Sequence, residues 1–290
     1  MPGDECLTRY TRLVDRMPGF PASVQRILEL TEDPNSSARE LVATLERDPV
    51  LTVRVLKLVN SPWFGLERPV SSVSRALVVA GLNTLRNLAI SITAVGMLPA
   101  RNDAGMDTRR FLEHSLGVAT IARRLARLLE VPEGETTDHF VAGLLHDFGK
   151  IVLTRHAGEH YRPVLAAAAG GSAPLQAEEA RLLGVDHAEL GGLLMGHWRL
   201  PGILSGAVRY HHSPDRQGDW SLLRDTVFAA NQIVRRLDFG DSGNPVVEPF
   251  PPGIRERFGA DLPELMEALG DLGPELEHVR HFMQSQDERP

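Results

Sequence analysis

Apolar positions recur every three or four residues along most of the chain, and few segments alternate strictly, so the pattern predicts an all-α fold. In "SSARELVATLERDP", Leu41, Val42 and Leu45 share one helical face. Ser37 and Glu40 have the spacing of a capping box, and Pro49 follows the expected helix end. "VLTVRVLKLVN" is apolar nearly all round, broken only by Thr52, Arg54 and Lys57. Its β-branched content suits a strand, but its length and helical neighbours favour a buried helix. Pro62, Gly65 and Pro69 then punctuate a loop, "NSPWFGLERPVSSVS". Further helices are expected near 72–80, 82–97, 107–130, 138–156, 173–183, 186–197, 200–210 and 221–238. The Pro- and Gly-rich stretch 240–253 reads as a linker or an ordered loop. Two short amphipathic segments follow, 261–269 and 275–284. In the second, Leu276, Val279 and Met283 form a stripe that either packs back on the body or meets a partner.

Histidine placement divides the chain. All 11 histidines lie beyond "PARNDAGM" at 99–106. The expectation is an N-terminal helical subdomain over 1–100 and a histidine-bearing helical subdomain over 101–239. A Pro/Gly linker with a helical extension then covers 240–290. Composition narrows the function classes. With 31 basic and 38 acidic residues the net charge is −7, and no block of like charge occurs. That balance argues against broad binding to nucleic acid or anionic membranes, although a local basic patch stays open. Cys6 is the single cysteine, so no intrachain disulfide forms, which fits a reducing compartment. "MPGDECLTRY" has neither the basic start nor the apolar core of a secretory signal, and the longest apolar runs are too short to span a bilayer. A cytoplasmic protein is expected.

Candidate chemistry lies on the inward faces of the later helices. His114 is three residues after Phe111 and four before Val118, on an apolar face. His146 and Asp147 interrupt "AGLLHDFGKIVL". Adjacent helical residues diverge by about 100°, so both reach one ion only from the edge of a groove between helices. The plainer alternative is separate hydrogen bonds, or an ion pair with Lys150 three residues on. His187 sits near a helix start, His211 and His212 at a helix end, and Asn231 between Val227 and Val234. Imidazole and carboxylate together suit first-row divalent metals. No one of these positions is specific; their order along apolar helix faces is the signal.

The run of His114, then His146–Asp147, across successive helices resembles the HD superfamily of metal-dependent phosphohydrolases. "MPGFPASVQRILELTED", "LERDPVLTVRVLKLVNSPWFG" and "VSSVSRALVVAGLNTLRNLAIS" resemble the HDOD family, a signalling branch of that superfamily, over about residues 10–238. The resemblance implies an all-α module of bacterial signal transduction that has lost catalytic competence. It also implies metal ligands at His114, His146 and Asp147, with Asn231 where the superfamily closes its set with aspartate. The chain is further similar to HD-GYP phosphodiesterases in "HDFGK", in His187 followed by Glu189, and in the doublet His211–His212. Those matches imply positions for a second metal and place Lys150 near a phosphate. "HHSPDRQGDW" lacks the Gly-Tyr-Pro signature, which puts cyclic-dinucleotide hydrolysis in doubt.

Three readings follow. The first is a stand-alone, non-catalytic regulatory module with a degenerate site that holds one or two divalent ions, with iron, manganese or nickel suited to the donors. Its partners are other signalling proteins, with no membrane and no nucleic acid. The second is an active metal-dependent phosphohydrolase acting on a nucleotide, with Lys150 in the catalytic set. The third is a helical protein whose core histidines are merely hydrogen-bonded. Trp63 and Phe64, in the Pro-flanked loop, either anchor a partner or plug the core.

Overall fold

The structure is a computed structural model that describes residues 2–61 and 68–287. Trp63 and Phe64 lie outside the described residues. Among those described there are seventeen α-helices and no strand.

The first half is built from α1 (Pro2–Val14), α2 (Ala22–Glu32), α3 (Ala38–Glu46), α4 (Pro49–Val59), α5 (Val73–Ala80) and α6 (Leu82–Gly96). The capping box forms as the spacing predicts: Glu40 N donates to Ser37 Oγ, and Ser37 N donates to Glu40 Oε2 at 2.9 Å. Pro49 does more than follow α3. It is the first residue of α4, where its missing N–H costs nothing, and Asp48 caps that helix by accepting from Leu51 N at 3.0 Å. α4 departs from the buried helix expected for it. Leu51, Val55, Leu58 and Val59 are buried, but Val50 and Val53 are about two-thirds exposed, beside the exposed Val78 and Val79 of α5. Nothing local distinguishes one valine of this run from the next.

The second half comprises α7 (Thr108–Leu128), α8 (Glu133–Leu145), α9 (Gly149–His156), α10 (Gly158–Ala169), α11 (Leu175–Leu183), α12 (His187–His197), α13 (Gly202–Arg209) and α14 (Ser221–Arg236). α7 and α8 pack side by side, and α14 lies across both. The single helix expected over 138–156 is two helices. A tight turn at 146–148 breaks it, with Phe148 N donating to Leu145 O and Lys150 N to Asp147 O. The cause is tertiary. α12 crosses so closely that a Cβ at position 149 would sit 1.9 Å from His187 O, so only Gly149 fits. Helices at 158–169 and 252–258, which the sequence pattern did not pick out, are α10 and α15 (Pro252–Phe258).

Residues 239–251 run over the surface of α7 and α14 as a fixed strap. Asp241 N donates to Arg110 O, Ser242 O accepts from Lys150 Nζ, and Glu248 N donates to Gln232 Oε1. Gly240 takes φ +70°, and a Cβ there would meet His114 N at 2.2 Å. After α16 (Leu262–Leu269), α17 (Gly273–Asp287) returns to α7. Leu276, Val279 and Met283 are buried, and Arg280 Nε donates to Glu113 Oε1 at 2.9 Å. Of the two alternatives for this stripe, packing on the body is the one observed. At the other end, residues 17–20 reach α12: Trp198 Nε1 donates to Pro18 O, and Phe20 stacks on Trp198 at 4.7 Å. No single helix among the described residues is long and apolar enough to cross a membrane. α5 and α6 pass that test only as a pair, and they meet at 116°.

Candidate metal centre

The turn between α8 and α9 resolves the geometric difficulty of adjacent ligands. In a continuous helix His146 and Asp147 would diverge. Here Asp147 is rotated inward, and His146 Nε2 lies 3.3 Å from its Oδ2. α7 brings His114 Nε2 to 3.9 Å from the same oxygen. α12 brings His187 Nε2 to 3.0 Å from Oδ1, and the end of α13 brings His211 Nε2 to 3.7 Å from it. His212 Nε2 is 3.1 Å from His187 Nε2. Asp147 therefore belongs to two sets of converging donor atoms, one with His114 and His146, the other with His187, His211 and His212.

Asn231 is buried on α14, the helix that crosses α7 and α8. Its Oδ1 has no hydrogen-bond partner, as a ligand oxygen would have none. Lys150 is fully buried and already engaged, donating to Asp147 Oδ2 at 2.7 Å and to Ser242 O at 3.0 Å.

Electrostatics prepare these donors. Burial pushes His114, His211 and His212 well below the ordinary imidazole value, so they are neutral and carry a lone pair at physiological pH. Burial alone would raise Asp147, but His146, Lys150 and His187 around it hold its carboxyl well below the usual range. Burial also lowers Lys150, an effect Asp147 opposes. His187 is the exception. Burial is the largest influence and lowers it, yet Glu179 and Asp147 together more than offset burial and raise it to about 9. Glu179 Oε2 is 2.5 Å from His187 Nδ1 and also accepts from His187 N, while Tyr161 Oη donates to Oε1 at 2.6 Å.

The outer hydrogen bonds fix which nitrogen faces inward. His146 Nδ1 donates to Gly143 O at 2.7 Å and His211 Nδ1 to Val208 O at 2.6 Å, so both present a bare Nε2 to the centre. His187 has a carboxylate behind its ring instead. These are the supports that metal-ligating histidines use. What the inner atoms lack is a partner. His114 Nε2, His146 Nε2 and His211 Nε2 are buried without a hydrogen bond, and Asp147 Oδ1 has only the 3.0 Å approach of His187 Nε2. Leaving a buried polar atom unsatisfied costs about 1–3 kcal/mol. Three bare imidazole nitrogens around one carboxylate fit a divalent ion.

Three residues of the surroundings have no counterpart in the sequence reading. Glu179 sits in "QAEEARLL", where it looks like a surface acid. Glu248 lies in the strap, with Oε1 3.9 Å from His212 Nδ1. Arg235 is buried against Glu248 at 3.6 Å, and its Nε and Nη2 have no partner. Only Arg235 had a signal: it is four residues after Asn231, on the same face of α14. Asp147, Glu179 and the half-buried Glu248 balance Lys150, Arg235 and protonated His187, so these six groups carry no net charge before any ion enters.

An all-helical fold around a buried aspartate ringed by imidazoles defines the class: helical proteins built on a histidine–aspartate cluster able to bind metal. Sequence comparison then assigns the lineage. The chain belongs to the HDOD domain family, whose model matches residues 17–214. A crystal structure of an HDOD domain protein from Geobacter sulfurreducens is 25% identical, with a TM-score of 0.75 over 96% of this chain and 98% of that one. A chain from Shewanella amazonensis SB2B named "Putative phosphohydrolase" is 26% identical, with a TM-score of 0.71 over 93% and 96%. A curated protein from Treponema pallidum (strain Nichols), named as uncharacterized, is 28% identical over 226 residues. That match covers 78% of this chain but 43% of the relative, so the chain spans less than half the length of the curated relative it matches.

Proposed function

We propose that this chain is a regulatory module of signal transduction whose buried centre binds one or two divalent ions without turning over a substrate. The observation that carries this reading is the closure of the site. His146, Asp147, Lys150, His187 and His211 have no exposed surface, and the strap passes directly over His114 and Lys150. Phosphoester hydrolysis needs a substrate phosphate to reach the ligands, and a bound ion supplies the activated water and the clamp on its oxygens. Lys150, the side chain the superfamily resemblance sets near a phosphate, is instead held by Asp147 and Ser242. Asn231 provides a neutral carbonyl where a carboxylate would add a full charge, which weakens ion binding. His114, His146 and Asp147 hold the first ion, and His187, His211 and His212 surround the second position, with Asp147 common to both. Iron, manganese and nickel suit imidazole-rich sets of this kind. Partners are other proteins, and the exposed Val50, Val53, Val78 and Val79 of α4 and α5 support docking on this side.

The retained histidine set and the name of the Shewanella relative favour a second reading, a metal-dependent phosphohydrolase acting on a nucleotide. Turnover of bis(p-nitrophenyl) phosphate separates the two. With iron, manganese or nickel supplied, the module shows no turnover above the Asp147→Ala background, and Asn231→Asp raises metal occupancy. Wild-type turnover of about 1 per second or faster, an ordinary enzymatic rate, replaces this reading with the hydrolase.

A further inference from the structure

A cleft of about 540 Å³ lies away from the histidine cluster, between the two halves of the chain. Its volume falls within the ~300–1,000 Å³ typical of small-molecule sites. Leu58 of α4 and Val95 of α6 line one side, and Leu112 and Leu116 of α7 with Leu144 of α8 line the other. Phe140 of α8, Phe282 and Met283 of α17 and the basic Arg109 of α7 also line it. The walls are apolar, but the mouth is basic. Arg54 and Lys57, exposed on successive turns of α4, both border it. Among the described residues neither pairs with an acid. That is notable in a chain of net charge −7. Thr108, at the start of α7, also borders the cleft, and its Oγ1 is buried with no hydrogen-bond partner.

We infer that this cleft binds a small amphipathic monoanion, an alkyl or aryl carboxylate whose apolar body lies along α7 and whose charge meets Arg54 and Lys57. The Thr108 hydroxyl supplies a donor to an oxygen at the same site. Charge complementarity selects an anion over a neutral body, because Arg54 and Lys57 border the mouth without an acid partner among the described residues, whereas an alcohol gains only hydrogen bonds such as that of the Thr108 hydroxyl. A plainer role exists for both cations. Lys57 lies in the last turn of α4, and Arg54 Nη1 is 3.9 Å from where a Gly96 Cβ would sit, at the end of α6, so each also faces a helix C-terminus. That role predicts a stability effect and no ligand effect.

The test uses the full chain with 8-anilinonaphthalene-1-sulfonate as the fluorescent probe, displaced by decanoate or by 1-decanol. Decanoate displaces the probe at a concentration about tenfold or more below that needed for 1-decanol. The double variant Arg54→Glu/Lys57→Glu loses that preference and leaves 1-decanol unchanged. Val95→Trp, at a half-buried position, fills the cleft and weakens both. Circular dichroism confirms that each variant folds, and Leu112→Trp replaces Val95→Trp if the latter does not. Equal displacement by acid and alcohol, or a charge reversal that lowers the melting temperature without changing displacement, overturns the anion site. Undiminished probe binding in the filled variants places the site elsewhere and overturns it as well. Metal content is unaffected in all of these variants, so failure here is separate from failure of the metal centre.

Discussion

The two sides of α7 follow opposite rules. One side carries His114 into a centre where charged and polar groups are fully buried. The other carries Leu112 and Leu116 to the wall of a cleft lined mostly by apolar side chains. Ordinary packing puts polar groups outside and apolar groups inside. The first side breaks that rule and the second keeps it around a cavity. Polar atoms buried without partners mark where an ion belongs, and a cavity walled by apolar side chains marks where a ligand does. The buried side should therefore respond strongly to the loss of one charge, and surface pairs nearby should respond weakly.

The largest effect is expected at Asp147. Asp147→Ala leaves Lys150 buried without its partner, and breaking a buried pair in this way costs about 3–5 kcal/mol. Urea unfolding of metal-free protein measures it. A neutral result would mean that the buried charges are not what holds this face together.

Acid comes next. Burial lowers His139 to about 4; its Nδ1 donates to Thr226 Oγ1, whose own proton goes to Leu223 O. The unfolded chain, with an ordinary histidine near pH 6.5, takes up the proton first. Stability therefore falls as the pH drops from about 6.5 toward 4, by about 3 kcal/mol for this residue alone. His114, His211 and His212, also lowered by burial, act in the same direction. In His139→Asn the acid limb becomes shallower, as thermal melts between pH 4 and 7 would show.

His187 runs the other way. With its value raised to about 9, protonation stabilises the fold fully below about pH 6.5, and that contribution is lost as the pH rises through 9. A metal must displace the same proton, so apparent metal affinity climbs about tenfold per pH unit across this window. Glu179→Gln removes the larger of the two groups that raise His187, and the metal-binding profile should become shallower above about pH 6.5. A wild-type profile already flat from 6.5 to 9 would exclude His187 from the ligand set.

The contrast with these buried groups explains what was legible in the sequence. His114 could be assigned to an inward face because Phe111 and Val118 flank it at helical spacing. The capping box at Ser37 and Glu40 and the apolar stripe of α17 are local patterns for the same reason. The break before Gly149 was not legible, because its cause is His187 O arriving from α12. Glu179 was missed because either acid in "AEEAR" looks like a surface charge until the helix packs beside α12. The strap could be read only as proline and glycine content, since its contacts are to Arg110, Lys150 and Gln232, far away in the chain. Exposed Val50 and Val53 were misjudged because hydrophobicity alone does not say which side of α4 stays uncovered.

The smallest expected effect is at the surface. Arg280 is half exposed where it meets Glu113, beside the same helix that carries His114. Exposed pairs contribute about 0–1 kcal/mol, so Arg280→Ala should change stability by less than about 1 kcal/mol. A loss comparable with that of Asp147→Ala would erase the distinction drawn between the two sides of α7.

Elemental analysis of protein purified without chelator or metal-binding tag, comparing wild type with Asp147→Ala, tests the central claim most directly. The account predicts a divalent metal bound in wild type and lost in the variant. Wild-type protein that remains metal-free even after incubation with iron, manganese and nickel would contradict it.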